Sequence, residues 1–259
     1  MTNAELLKEQ YADGKRLGAR ASLHAKYSVN KHGYENWIFE QYELKGGMRI
    51  LEVGCGTGTL WANHWASLPD GCELVLTDVS AGMVTEALSN VPSADFVKIE
   101  LADVQHLPYA DGTFDMVAAN MMLYHVPDLD VGLREVCRVL KPGGWFYCTT
   151  YGENGIVQYL KAELSGLVQM EAPSTVFTLQ NGARRLSRYF DPVERRDYED
   201  ALEVTDANDL VDYLFSMTSM IGLEQEVTRE ALVDRLEQKR KGGVIRVPKE
   251  YGMFCCQKA

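Results

Sequence analysis

The chain has 259 residues, 46% of them hydrophobic, and a formal net charge of -11. That length can bury one large core or two small ones, and the acidic balance argues against a protein whose main task is gripping nucleic acid, which relies on Lys and Arg. Six cysteines (55, 72, 137, 148, 255, 256) lack C-x-x-C spacing, and Cys137, Cys148, Cys255 and Cys256, inside a predicted helix or strands, read as small buried hydrophobes of a reducing compartment.

No run of 18 apolar residues is present to span a membrane. The opening Met-Thr-Asn-Ala-Glu lacks the form of a secretion signal. A cytoplasmic enzyme is therefore expected. Residues 3–24 are polar and helical in tendency, with Leu6, Leu7, Tyr11, Leu17 and Leu23 as the apolar set, although Gly14 and Gly18 weaken the case for one unbroken helix. The stretch 25–39 carries Tyr27, Asn30, His32, Tyr34, Trp37 and Phe39. It reads either as plain packing on the core or as one wall of a ligand pocket, since aromatics join large contact area to a polar tip.

Met48 to Val53 is a short apolar run interrupted by Arg49 and Glu52, which fits a strand buried on both faces. Gly54, Gly56 and Gly58 follow at once, then a helix-like stretch over 60–67. Strand, glycine turn and helix together can hold a nucleotide-like cofactor, because glycine lets backbone approach a ligand and the helix start presents free N–H groups. The dinucleotide fingerprint G-x-G-x-x-G fails from either starting glycine, since its last position falls on Thr59 or Trp61. This disfavours a nicotinamide-dependent oxidoreductase.

A second strand, 73–77, ends at Asp78, where a carboxylate can accept from both ribose hydroxyls of a nucleoside. Asp78 can also cap the next helix, a task Ser80 can take over. Met83, in that helix, reads as packing under a flat ring or as a plain core contact. A third strand, 95–100, leads to Asp103, again a carboxylate past a strand's carboxyl end, or else a turn-ordering residue. Phe114 to Asn120 is a fourth strand, 131–140 a helix stopped at Lys141-Pro-Gly-Gly, and 145–150 a fifth strand. Strand and helix patterns alternate from 48 to 150, which predicts a doubly wound parallel sheet.

Beyond 150 the rhythm changes. A helix is predicted over 154–170, with Ile156, Tyr159, Leu160, Leu164 and Leu167 on one face, and a short one over 181–189 with Arg184, Arg185 and Arg188. Residues 193–198 can rejoin the sheet. Thr205 and Thr228 can cap helices to about 217 and 241, and 251–258 is a final strand. The whole reads as a single domain, 1–259, with an N-terminal helical segment, 1–45, and an insertion, 151–191, placed as a lid.

Taken together, Leu51-Glu-Val-Gly-Cys-Gly-Thr-Gly58, Leu76-Thr-Asp-Val-Ser80 with Met83, Asp103-Val104, Leu107-Pro-Tyr-Ala-Asp-Gly-Thr-Phe-Asp115 and Leu140-Lys-Pro-Gly-Gly144 resemble the class I S-adenosylmethionine-dependent methyltransferases. The nearest flavour is the small-molecule branch that includes quinone-biosynthesis enzymes. The resemblance covers 45–150 strongly and 190–258 weakly. It implies a Rossmann-like three-layer α/β sandwich, with a seven-stranded, mostly parallel sheet in order 3-2-1-4-5-7-6 and an antiparallel last strand. It also implies S-adenosylmethionine as cofactor. Glu52 with Gly54, Gly56 and Gly58 would form the loop beside the methionine and ribose, Asp78 would take the ribose, and Asp103 the adenine amino group. The Val104 N–H would reach a ring nitrogen, and the carbonyl near Asn120 the methionine amino group. No Asn/Asp-Pro-Pro-Tyr/Phe motif follows strand four, which argues against methylation of nucleic-acid bases.

Methyl transfer needs an oriented nucleophile more than covalent help, and a base assists a hydroxyl or amine acceptor. His125, at the mouth of the site, either orders its loop or stands beside the acceptor; Tyr124 and Tyr27 are comparable candidates, and His24 and His32 can approach from the N-terminal segment. His64 and His106 read as structural. The expected partner is a small, partly apolar metabolite, with no DNA and no metal, and the oligomeric state is open. Arg184, Arg185 and Arg188 form a solvated helix face or hold an acceptor carboxylate. Methylation of a protein or RNA, or a non-catalytic role in binding the cofactor, are the alternatives.

Overall fold

The computed structural model describes residues 15–171, 174–217 and 227–259. Seven strands form one sheet: β1 (Arg49–Val53), β2 (Glu73–Asp78), β3 (Val97–Leu101), β4 (Phe114–Asn120), β5 (Leu140–Tyr151), β6 (Val193–Val204) and β7 (Ile245–Gln257). Their order is β3-β2-β1-β4-β5-β7-β6. The first five run parallel, and β7 lies antiparallel between β5 and β6. The expected topology is the observed one.

Why these segments form strands follows from their alternation. Leu51, Val53, Val117, Ala119, Phe146, Cys148, Phe254 and Cys256 point to one face, where α5 (Leu129–Val139) and α7 (Gly182–Leu186) cover them. Ile50, Leu74, Leu76, Met116, Ala118, Tyr147, Met253 and Cys255 point to the other, under α2 (Tyr34–Glu40), α3 (Thr59–Asn63) and the start of the glycine loop. Strands apolar on both faces need cover on both.

A third apolar cluster lies beyond the sheet. The β6/β7 pairing continues past the end of β5, from Glu199↔Glu250 to Val204↔Ile245, as a two-stranded ribbon whose β6 side is bridged at Ser28↔Leu202. Leu202, Val204, Ile245 and Val247 of that ribbon pack with α1 (Lys15–Tyr27), α6 (Ile156–Glu163), α8 (Ala207–Ser216) and α9 (Arg229–Glu237). This cap stands over the carboxyl ends of the parallel strands. Among the described residues the remaining α-helix, α4 (Ala81–Asn90), follows β2.

Several boundaries differ from the sequence reading. Of the predicted N-terminal helix, Leu6, Leu7 and Tyr11 lie outside the described residues, while Gly18 sits inside α1 without ending it. The predicted 154–170 helix stops at Glu163, and Leu167 is exposed rather than buried. Asp206, not Thr205, caps α8 by accepting from the Asn208 N–H, because a carboxylate accepts better than a hydroxyl. Thr228 caps α9 as expected, but that helix ends at Glu237. Strands β6 and β7 run to 12 and 13 residues, since ribbon pairing extends them past the segments whose pattern was visible.

Candidate active site

The strand order reverses between β1 and β4, so a crevice opens at the carboxyl ends of these strands. The glycine loop crosses that crevice with Gly54, Gly56 and Gly58 all at positive φ, between 55° and 71°. Two of the three are closed in: a Cβ at Gly54 would meet Met122 Cγ at 2.8 Å, and one at Gly58 would meet Val91 Cγ2 at 2.6 Å. A Cβ at Gly56 would meet nothing within 4 Å. There the backbone borders open space, which is what a ligand-facing turn needs.

Asp78 closes one side. Its Oδ2 accepts from the Gly56 N–H at 3.0 Å and its Oδ1 from the Ser80 N–H at 2.8 Å. A carboxylate has about four acceptor positions, so lone pairs remain for a ligand. Burial raises its carboxyl above the usual range, while these N–H donors pull it down. Ser80 caps α4 by accepting from the Met83 N–H, as the sequence allowed, and Met83 lies buried beneath the crevice. Val79, between them, is 67% exposed. Sequence reading passed it over, although an apolar residue left between an acid and a cap is a signal of a surface meant for cover.

Glu52 lies under the loop. Its Oε2 accepts from Trp61 Nε1 at 2.6 Å and its Oε1 from Asn120 Nδ2 at 2.7 Å. Asn120 Nδ2 also donates to the Tyr42 hydroxyl at 2.7 Å. Burial pushes the Glu52 carboxyl up to about 7, against the pull of the Asn120 and Trp61 donors. The network ties β1, β4 and the segment after α2 into one floor. Directly after Asn120, Met121 holds φ at 52°, a conformation that non-glycine residues rarely keep away from functional sites. Its N–H donates to Thr149, and Tyr34 Oη donates to its sulfur at 3.8 Å.

Asp103 is ordered by its own turn: Oδ1 accepts from the Gln105 N–H at 2.9 Å, and both oxygens take Gln105 Nε2 at 3.2 Å. Val104 is buried beside Gly132. The two stand at the outer end of the crevice, past β3.

On the cap side, aromatic rings pack in two groups. Tyr34 lies 5.1 Å from Tyr251 and 5.0 Å from Tyr198, between ring centres, and Tyr124 lies 4.6 Å from Tyr151 and 4.4 Å from His125. His24 packs edge-on to Tyr251 and Tyr213. Burial lowers the His125 imidazole to about 4, with the Arg20 charge adding to it. Lys249 Nζ bonds Asp200 Oδ2 at 2.7 Å, with side chains only 2% and 0% exposed. Ser28 Oγ and the Asn30 N–H also donate to Asp200. This pins the N-terminal segment to the ribbon.

The structure thus links Glu52 to Asn120 and Gly56 to Asp78, sets Met83 in the helix that Ser80 caps, and puts Tyr124 and His125 in the short helix Leu123–His125 that follows Asn120. It does not bring in Tyr27. That ring lies in the cap cluster and its hydroxyl donates to Asp209 of α8. His32 pairs with Glu40, and His64 stacks on Phe39. Arg188, just after α7, makes an exposed pair with Asp130 of α5. Sequence reading missed Tyr42, Tyr198 and the Lys249–Asp200 pair, which become visible only through strand register, where Asp200 stands opposite Lys249.

The family described as a methyltransferase domain matches residues 51–148. Among curated relatives, methyltransferase GfsG of Streptomyces halstedii is 38% identical over 110 residues, 41% of this chain and 39% of its own length. Demethylmenaquinone methyltransferase of Symbiobacterium thermophilum is 36% identical over 122 residues, 44% of this chain and 48% of its own. The match therefore spans less than half of these relatives. Among solved structures, the cyclase SpnF shares the fold, with a TM-score of 0.59 at 20% identity over 97% of this chain and 95% of SpnF.

Proposed function

We propose that the protein methylates a small, partly apolar metabolite, because the chain belongs to the class I S-adenosylmethionine-dependent methyltransferases. The observation that carries the reading is the crevice over Gly56. Open space meets a positive-φ backbone there, with Asp78 bonded to the Gly56 N–H and Val79, next to Asp78, exposed. That arrangement fits an adenosyl group: lone pairs of Asp78 for two ribose hydroxyls, an apolar face for the ring, and Gly56 where a side chain would collide. Asp103 and the Val104 N–H stand at the ring's outer edge, and the Asn120 carbonyl at the methionine end.

When bound, the cofactor supplies an electrophilic methyl on a sulfonium that leaves as a thioether. The chain's own residues supply position and dryness. The Glu52–Asn120–Tyr42 floor fixes the end of β4. Met121, Tyr34 and Tyr124 face the space where an acceptor aligns with the methyl. His125, neutral at physiological pH, orders that mouth or accepts a proton through a bond to the acceptor.

The 151–191 segment acts as a lid over this mouth. In support, Tyr151 Oη donates to the Ser174 carbonyl and Ser174 Oγ to the Tyr124 carbonyl, which carries the segment across the end of β5. A cytoplasmic location is proposed as well; no helix among the described residues is long and apolar enough to cross a membrane. The test is a screen of small metabolites, quinols and phenolic acids among them, with S-adenosylmethionine as donor and S-adenosylhomocysteine as the readout. Methylation of a protein or RNA at good rate with every small molecule inert overturns the substrate class.

The resemblance to SpnF, a cyclase by name, favours one second reading, since a fold does not fix a reaction. In that reading the cofactor binds without turning over. Tight S-adenosylmethionine binding with no S-adenosylhomocysteine from any acceptor would select it.

A further inference from the structure

The sheet has two outer edges, and they are finished differently. Along β6, the Ser28↔Leu202 bridge, the Val29 N–H on the Ala201 carbonyl and Asn30 Nδ2 on the Glu199 carbonyl cover part of the edge. Strand β3 pairs with β2, and no strand or bridge among the described residues pairs with its outer side. The Phe96 carbonyl accepts from the Leu74 N–H, and the Ala102 N–H donates to the Asp78 carbonyl. Even-numbered residues therefore aim their backbone groups at β2, and the two-residue period turns those of Val97, Ile99 and Leu101 outward. The Val97 N–H is taken by the Ala94 carbonyl, which leaves the N–H groups of Ile99 and Leu101 facing away from the sheet. Leu101 and Phe96, at the two ends of this edge, are 59% and 43% exposed.

An open edge is a template for another chain, and charged side chains ordinarily blunt it. Here the charges select a partner. Val97-Lys-Ile-Glu-Leu101 is complementary to itself. Set a second β3 antiparallel to the first, with Ile99 opposite Ile99. Outward backbone groups then meet outward groups, with Leu101 opposite Val97 of the second copy. Lys98 falls opposite Glu100 of the second copy, twice, at the positions without backbone bonds, where Cα atoms approach to about 4.5 Å and side chains come closest. A slip of two residues is the smallest that keeps the outward groups matched. In one direction it sets Lys98 on Lys98, and in the other Glu100 on Glu100, so both neighbouring registers are penalised. Within one chain Lys98 Nζ reaches Glu100 Oε2 at 2.5 Å, and Tyr109 Oη donates to Glu100 Oε1. The Lys98 side chain is 64% exposed, free to turn to the second copy's carboxylate while Tyr109 holds Glu100 in place.

We propose that β3 pairs antiparallel with β3 of a second copy of this chain, about a two-fold axis at Ile99, joining two sheets into one. Such a pairing uses the same surface on both copies and closes on itself. A strand of five residues makes a small contact, so the dimer belongs to the weak, reversible end of specific interfaces.

The test is sedimentation equilibrium of the full chain from about 1 to 100 micromolar. The mass of the wild type should rise with concentration from 29.1 kDa toward twice that value. Lys98→Glu and Glu100→Lys each set like charges opposite one another and should weaken the dimer by at least about tenfold. The double variant Lys98→Glu/Glu100→Lys restores opposite charges and should recover it. A mixture of the two single variants, which has opposite charges across the heterodimer, should associate more tightly than either alone. Ile99→Pro removes an outward N–H and leaves the bonds to β2 in place; it should be monomeric, with the circular dichroism of the wild type. A wild type at monomer mass at every concentration overturns the proposal and leaves the charges as a device that blunts the edge. Single variants that dimerise as the wild type does overturn it too, as does a double variant or a mixture no tighter than the single variants.

Discussion

The two ends of the crevice are built on different principles. On the side of β1 to β3, a few residues close in sequence do the work: three glycines in five positions, a carboxylate at a strand end, and a serine cap two residues on. On the cap side, several contacts join distant segments, as when Tyr34 of α2 meets Tyr198 of β6 and Tyr251 of β7, or Asn30 meets Asp200. Local construction suits a ligand whose shape is fixed. Construction from distant segments lets the acceptor side change through substitutions that leave the glycine loop alone. If that contrast is right, damage on one side should spare the other.

The largest expected effect is at Gly56. Gly56→Val forces a β-branched residue to φ 55° and fills the open space above the loop. S-adenosylmethionine binding should vanish in calorimetry, while circular dichroism shows the sheet intact. Normal binding would reduce the loop to a turn.

Next is the buried ion pair. Asp200→Leu leaves the Lys249 ammonium buried beside three tyrosine rings without its counter-ion. Removing one partner of such a pair costs about 3–5 kcal/mol, read as a fall in denaturant midpoint. The double variant Asp200→Leu/Lys249→Met should recover most of that loss. In both, a sheet side that works alone keeps its affinity for the cofactor; a parallel loss of affinity breaks the comparison.

Glu52 gives a pH signature. Its carboxyl stands at about 7 in the folded chain against 4.5 ordinarily. The folded state therefore holds a proton that the unfolded state has released. The stability this confers is complete below about pH 4.5 and is lost as pH rises through 7, by about 3 kcal/mol in total. Thermal midpoints of the wild type should fall from pH 5 to pH 8, and those of Glu52→Gln should stay flat by comparison. Equal slopes would remove Glu52 as the cause.

Smaller still is Asp78→Ala. Hydrogen bonds to a charged group are worth roughly 1.5–3 kcal/mol, so the dissociation constant for S-adenosylmethionine should rise about tenfold or more, with the acceptor side untouched. Arg188→Ala anchors the bottom of the scale. Its exposed pairing with Asp130 is worth at most about 1 kcal/mol, and methyl transfer should be unchanged.

The same contrast explains what could be read from the amino acids alone. The alternation of strands and helices from 48 to 150, the glycine loop and the Ser80 cap were legible because each depends on neighbours within a few positions, whereas the strand order, which joins distant segments, came only through the family resemblance. Tyr27 was misjudged. An aromatic in a dense N-terminal stretch carries no mark of whether it faces the crevice or, as it does, Asp209 in α8. The long β6/β7 ribbon was only half seen, since Glu, Arg and Asp fill its outward positions and hide the alternation. Lys249 and Asp200 are ordinary charged residues until register sets them opposite each other and packing removes water. His24 was one histidine among five until packing set its Nε2 beside Tyr251 Oη and left Nδ1 buried with no partner among the described residues.

The place of β7 bears on how the protein is made. It is the last strand of the domain to leave the ribosome, yet it lies between β5 and β6. Until it emerges, the nascent chain can assemble β1 to β5 with the glycine loop in place, but β5 and β6 each present an open edge. Such edges pair readily with other chains. Translation that stalls before residue 245 should therefore yield a species that can already recognise the cofactor, has no acceptor wall, and aggregates through the two edges waiting for the strand between them.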